Sequence, residues 1–168
     1  MRSFGVFHYS FTVSDIEASI AFYVDLLGFE LVHRQVQHNE YTSRLVGYPD
    51  AHLLVAQLRV PGQPRGLSTH DLELIQYIHP TGQRSEPEIR NPGEGHLAIA
   101  VEDADAVWQR LSAAGVHFFS PPNDIMAGAN LGGKACYFHA PDQIVHELVQ
   151  PPPQRIADWL ARSGGDAG

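Results

Sequence analysis

The sequence predicts an α+β fold built from two βαβββ modules, and two observations predict it. First, a short text occurs twice. His8-YSFT-Val13-Ser-Asp15 is answered by His96-LAIA-Val101-Glu-Asp103, with histidine, valine and aspartate each recurring 88 positions later. Second, each copy leads through helix-like spacing to an apolar segment carrying a Glu-Leu pair, Glu73-Leu74 and Glu147-Leu148. The expected organisation is a first module over 1–78, a linker over 79–94, a second module over 95–150 and a C-terminal extension over 151–168.

Residues 4–13 are rich in aromatic and β-branched types and read as a strand. His8, Ser10 and Thr12 share one face of it, and Phe7, Tyr9, Phe11 and Val13 the other. Ser14 with Glu17 three residues on is a capping-box signature. Ile16, Ile20, Tyr23 and Leu27 follow helical spacing, and Gly28 stands where such a helix stops. A strand over 29–37, a looser stretch with Gly47, Pro49 and Asp50, and a strand near 52–60 come next. VPGQPRG (60–66) is a turn or exposed loop, and DLELIQYI (71–78) closes the module as a strand.

Residues 79–94 are polar and rich in Pro and Gly, as a linker would be. The order then repeats: a strand over 95–101, Asp103 as N-cap, and an apolar helical stripe of Ala104, Val107, Trp108 and Leu111 stopped near Gly115. A short strand is expected over 116–119, a Pro/Gly-rich loop over 120–133, and strands over 134–139 and 144–149. Pro151–Pro153 end the sheet, IADWLAR (156–162) is a short amphipathic piece, and the SGGDAG tail is expected to fray.

A chain of 168 residues suits one ordinary domain or two small fused modules, and 43% hydrophobic residues supply a core. A net charge of −8 argues against nucleic acid, which wants a basic stripe. No apolar run approaches the roughly 20 residues of a membrane span. MRSFGVFHYSF does not read as a signal peptide, and the lone Cys136 has no internal disulfide partner, so a cytoplasmic setting is expected.

Two histidines and two glutamates, one of each per repeat, look like a metal site in a duplicated fold. A single strand histidine is more often a hydrogen-bonded bystander than a ligand. Duplication reverses that for His8 and His96. Glu147 sits in an apolar strand, where an unpaired carboxylate is costly to bury and a metal would resolve the cost. Glu73 has a plainer reading, an outward carboxylate beside Asp71. His146 points to the face opposite Glu147; His117 and His139 read as surface residues; His33, His38, His52, His70 and His79 carry no pattern. Cys136 reads as a small buried hydrophobe.

The segments His8-YSFTVSDIEASIAFYVDLLGFEL, Leu72-Glu73-Leu74, Gly95-His96-LAIAVEDADAVWQRLSAAGV and Tyr137-FHAPDQIVHELVQ resemble the vicinal oxygen chelate superfamily. It includes glyoxalase I, methylmalonyl-CoA epimerase, extradiol dioxygenases and the fosfomycin and bleomycin resistance proteins. The resemblance implies that each module curls into half a cup around a metal and substrate site. It implies His8, Glu73, His96 and Glu147 as ligands of one divalent ion: Zn, Ni, Co, Mn or Fe. Four protein ligands on an octahedral ion leave two positions, enough for two substrate oxygens but not for a catechol and O₂ together. The implied function is a metal-dependent lyase or isomerase, glyoxalase I-like or acyl-CoA epimerase-like; the full His/Glu/His/Glu set favours the first, since the epimerase branch typically has glutamine in place of the first glutamate. Such an enzyme would move a proton alpha to a carbonyl through a metal-bound enediolate or enolate, with Glu147 or Glu73 as catalytic base.

The implied substrate is a small molecule such as an oxo-acid, a hemithioacetal or a thioester. Gly5 and Tyr77 stand where glutathione-holding Arg and Asn are looked for, and Ala140-Pro-Asp-Gln143 lacks the Asp-Pro-x-Gly form, so glutathione is not favoured. One alternative is an Fe(II) extradiol ring-cleaving dioxygenase, for which Tyr137, ten residues before Glu147, would be the tyrosine beside the metal rather than a packing aromatic. IMAGANLGGKAC lacks the histidine that chemistry needs. The other is a metal-free binding or resistance protein, against which the intact ligand set argues. A homodimer is the expected assembly, with the site formed within one chain or between two. Neither membrane nor nucleic acid is an expected partner.

Overall fold

The computed structural model describes residues 2–63 and 66–163. The chain divides between Ser85 and Glu86 into two compact units, each with a four-stranded sheet, and the α+β class matches the sequence reading.

In the first unit, β1 (Tyr9–Thr12), β2 (Glu30–Gln37), β3 (His52–Arg59) and β4 (Leu72–His79) lie in the order β1-β4-β3-β2. β1 runs parallel to β4 with Ser10 opposite Glu73. β3 is antiparallel to both neighbours and sets Gln57 opposite Glu73 on one side and His33 on the other. Residues directly opposite share a face. One row of that face therefore reads Ser10, Glu73, Gln57, His33. The other face carries Leu58, Leu72 and Leu74, all essentially without exposure. Helix α1 (Ile16–Ala21) lies on β3 and β4, and its buried Ile16 joins this core. It runs on into a π-helical turn over Phe22–Leu26, which sends Tyr23 fully inside. Burying a leucine this way is worth roughly 1.5–3 kcal/mol.

The cap of α1 differs from the capping box read at Ser14 and Glu17. Asp15 is the N-cap, and its Oδ1 accepts from the backbone N–H groups of Glu17 and Ala18, each at 3.0 Å. The stretch read as loose, 38–50, holds a further helix, α2 (Glu40–Val46). Asn39 Oδ1 accepts from Thr42 N–H at 2.9 Å at its start, and Gly47 at φ 77° ends it in the left-handed region.

The second unit repeats the plan. Its strands β5 (Leu97–Ala100), β6 (Asn123–Asp124), β7 (Lys134–His139) and β8 (Val145–Gln150) lie in the order β5-β8-β7-β6. β5 runs parallel to β8 with Ala98 opposite Glu147, and β7 sets Tyr137 opposite Glu147. Helix α3 (Ala104–Ala113) packs on β7 and β8, capped by Asp103, whose Oδ1 accepts from Ala106 N–H at 2.9 Å. Cys136, Phe138, His146 and Leu148 fill the core beneath it together with Leu111.

Residues 116–119 do not form the full strand expected of them. They meet β7 only around Phe118, where Phe119 N–H donates to Tyr137 and His139 N–H to His117, each at 2.9 Å. Pro121 and Pro122 have no N–H with which to extend the ladder, and two-residue β6 takes the edge instead. After the prolines comes α4 (Pro153–Ser163), fastened by Arg155 Nη1 donating to Asn130 Oδ1 at 2.8 Å. The tail read as frayed lies, beyond Ser163, outside the described residues. Among the described residues no helix is long and apolar enough to cross a membrane.

Candidate functional site

The four residues singled out in the sequence fall into two pairs, one in each unit. In the first, His8 precedes β1 and Glu73 projects from β4 on the face opposite Leu72 and Leu74. His8 Nε2 lies 3.9 Å from Glu73 Oε2. In the second, His96 precedes β5 and Glu147 projects from β8 between buried His146 and Leu148. His96 Nε2 lies 3.1 Å from Glu147 Oε2. Each histidine stands two residues before the residue that pairs with its glutamate, Ser10 or Ala98. The repeat is therefore one of register as well as of letters, and it settles the face of Glu73 that alternation in the sequence left open.

The carboxylates are half-buried, 15% and 18% exposed, and the histidines about twice that, 31% and 33%. That combination leaves the donor atoms reachable from solvent while the strands hold them. Donors bound at about 2.1 Å in adjacent positions of one ion stand about 3 Å apart. The second pair, at 3.1 Å, meets that spacing, and the first, at 3.9 Å, is wider. Imidazole nitrogen with carboxylate oxygen is a donor set that divalent transition metals accept.

The neighbours differ between the two pairs. Glu73 accepts a hydrogen bond from Gln57 Nε2 at 3.1 Å, the residue opposite it on β3. The corresponding neighbour of Glu147 is Tyr137, whose ring stands edge-on to His96 with centroids 5.1 Å apart. Burial and the Glu147 charge push the Tyr137 hydroxyl above its ordinary pKa, so it stays a proton donor at neutral pH. His146, fully buried against Phe138, is pushed down to about 4 by burial and donates Nδ1–H to the Val145 carbonyl at 2.8 Å. It belongs to the core face, as strand alternation predicts.

His70 is the residue that sequence reading passed over. It lies just before β4, is 5% exposed, and sets Nε2 3.1 Å from His8 Nδ1 and 3.8 Å from Glu73 Oε1. His8, His70 and Glu73 form the one cluster of three candidate metal donors among the described residues. Burial, and then the proximity of His8, hold His70 below the ordinary histidine pKa. No repeat marks it: the position in the second unit equivalent to His70 is Ile144. The other unpatterned histidines include His38 and His52, stacked with centroids 4.7 Å apart, and His33, opposite Gln57. His117 and His139 stack on each other beside Phe119.

A second feature absent from the sequence reading joins site to helix. Gln76 Oε1 accepts from Ile16 N–H at 3.0 Å, and Gln150 Oε1 accepts from Ala104 N–H at 2.9 Å. Each glutamine follows its strand glutamate by three residues, in ELIQ and ELVQ. An odd spacing puts the two on opposite faces. The closing strand of each unit thus presents a carboxylate on one side and clamps the helix N-terminus on the other.

Comparison with known proteins agrees with this architecture. A 2-epi-5-epi-valiolone epimerase from Actinomyces sp is 32% identical over 151 residues, 88% of this chain and 79% of that protein. A lactoylglutathione lyase of Arabidopsis thaliana is 23% identical over 94% of this chain, which spans 48% of that protein's length. A glyoxalase family protein from Bacillus cereus shares the fold, with a TM-score of 0.74 at 19% identity over 90% of this chain and 97% of that one. Residues 5–148 match the model of one family, and the chain belongs to it: the glyoxalase/bleomycin resistance protein/dioxygenase superfamily.

Proposed function

We propose that the protein is a metal-dependent isomerase of the epimerase type that moves a proton on the carbon beside a carbonyl. His8, Glu73, His96 and Glu147 would hold one divalent ion. The observation that carries this reading is the matching register of Glu73 and Glu147, each set beside a histidine by the same strand pairing. The relative named as an epimerase supports that branch over the lyase, being more similar and matched over more of its length.

A divalent ion so bound would polarise the substrate carbonyl and acidify the neighbouring C–H. The protein's own part is proton transfer. Glu73 and Glu147 are the candidate bases: one of them would leave the ion and take the proton from the carbon beside the carbonyl. Gln57, hydrogen-bonded to Glu73, orients that carboxylate. The substrates this suits are small hydroxy-ketones, oxo-acids and thioesters with an acidic C–H.

The test joins metal analysis to isotope exchange. Purified protein should bind one divalent ion per chain, not the two that independent half-sites would take. With a hydroxy-ketone or oxo-acid in D₂O, NMR should show deuterium entering the carbon next to the carbonyl. Glu73→Gln and Glu147→Gln should each slow that entry by roughly 10²–10⁴-fold. Absence of bound metal, before and after reconstitution, would overturn the reading. Oxygen uptake with catechols would replace it by ring cleavage.

A further inference from the structure

The two ring nitrogens of His8 face different partners. Nε2 faces Glu73 Oε2 at 3.9 Å, whereas Nδ1 faces His70 Nε2 at 3.1 Å across rings stacked 5.0 Å apart. A neutral imidazole carries one N–H, and a hydrogen bond between two imidazoles needs one donor and one acceptor. Which nitrogen of His8 remains free for a ligand is therefore decided by what His70 presents to it.

The roles can be followed outward from Ser68. Its hydroxyl donates to the His70 carbonyl oxygen at 2.6 Å and accepts the His70 backbone N–H at 3.2 Å. With its hydrogen so used, Ser68 Oγ turns a lone pair toward His70 Nδ1, 3.4 Å away. That arrangement favours a hydrogen on His70 Nδ1, which makes His70 Nε2 the acceptor and His8 Nδ1 the donor. His8 Nε2 is left with its lone pair on the Glu73 side.

We propose that His70 is a positioning residue that holds His8 in the Nδ1–H form, with Nε2 free to bind a divalent ion. This rests on the reading of His8 as a metal ligand. A histidine that ligates a metal commonly has its other N–H held by a carboxylate or carbonyl, and loss of that partner costs roughly 10–100-fold in metal affinity. Here a buried imidazole takes that place. His70 does not itself ligate, because one lone pair on Nε2 cannot both accept from His8 and bind an ion. At the position equivalent to His70 the second unit has Ile144, and the Tyr137 ring packs against His96.

The experiment begins on the full-length metal-free protein, with imidazole nitrogens observed by ¹⁵N NMR. His8 should be in the Nδ1–H form in the wild type. It should shift toward Nε2–H in His70→Ala and return in His70→Gln, whose side-chain oxygen can accept the same hydrogen bond. Zinc affinity, by competition with a chelating dye, should fall roughly 10–100-fold in His70→Ala and recover in His70→Gln. A His8 tautomer indifferent to His70 overturns the proposal. So does loss of one imidazole from the metal shell of zinc-loaded His70→Ala by X-ray absorption, which would make His70 a ligand. A tautomer that follows His70 in a protein that takes up no zinc upholds the positioning role and overturns the proposed function instead. Amide spectra establish that each variant is folded, and the glutamine variant supplies the readout if the alanine variant is not.

Discussion

His96 Nε2 and Glu147 Oε2 lie 3.1 Å apart, with the residue two beyond the histidine, Ala98, directly opposite that glutamate on the adjacent parallel strand. Neither side chain needs to travel for both to reach one ion. Replacing either donor, in His96→Ala or Glu147→Gln, should therefore lower zinc affinity by more than the roughly 100-fold that loss of an outer hydrogen-bond partner causes. Dye competition measures it, and affinity unchanged in both variants would remove this pair from the metal site.

The glutamine clamps make a separate stability prediction. Gln76→Ala and Gln150→Ala each delete the acceptor for a helix-initiating N–H, Ile16 and Ala104 respectively. Each should cost about 1 kcal/mol. Both tryptophans, Trp108 and Trp159, belong to the second unit, so urea unfolding followed by their fluorescence should register Gln150→Ala. Circular dichroism reports on both. An unchanged midpoint in both variants would show the contacts to be incidental.

Cys136 gives the pH dependence. Burial, then the charges of Asp105 and Glu147, push its thiol up from 9.0 to about 11. A group with its folded pKa raised in this way stays neutral in the fold while the unfolded chain ionises. Its contribution is complete below pH 9 and declines as pH rises from 9 to 11, by about 3 kcal/mol in all. Denaturation of the wild type and Cys136→Ala in this window should give converging stabilities at high pH. A constant difference between them would contradict the assignment. At pH 8 the folded protein should also resist a thiol reagent that labels the unfolded chain.

Gly133 marks a point of close approach. A Cβ there would stand 2.3 Å from the Gln150 carbonyl oxygen, closer than atoms tolerate. Gly133→Ala must push β8 away from the loop before β7, at a cost of roughly 1–3 kcal/mol. Gly82→Ala, where a Cβ meets nothing within 4 Å, is the control. Thermal unfolding should separate the two, and equal midpoints would deny the close contact.

Much of the fold was legible because evolution wrote it twice. His8 and His96, Asp15 and Asp103, Gly28 and Gly115 each marked the same point of a module, so weak local signals reinforced one another. Where a feature stands outside the repeat, legibility fails. His70 has Ile144 as its counterpart, and its meaning lies in a contact across 62 residues with His8. Helix α2 is too short for periodicity to declare itself, and Asn39 and Gly47 serve equally as loop residues or as caps. Residues 116–119 have strand chemistry, but Pro121 and Pro122 cut the ladder short. Gln76 and Gln150 were visible as letters, but only geometry showed that each side chain ends on a helix N–H.

The three-residue spacing of glutamate and glutamine on β4 and β8 amounts to a proofreading device for folding. A slip of one residue reverses every side chain of a strand. In these strands it would drive the carboxylate into the apolar interior and, in the same movement, pull the amide off the helix end. A misregistered strand is thus penalised on both of its faces at once, whether or not a metal is present. The residues proposed for chemistry are thereby held in register by contacts on both faces of their strands.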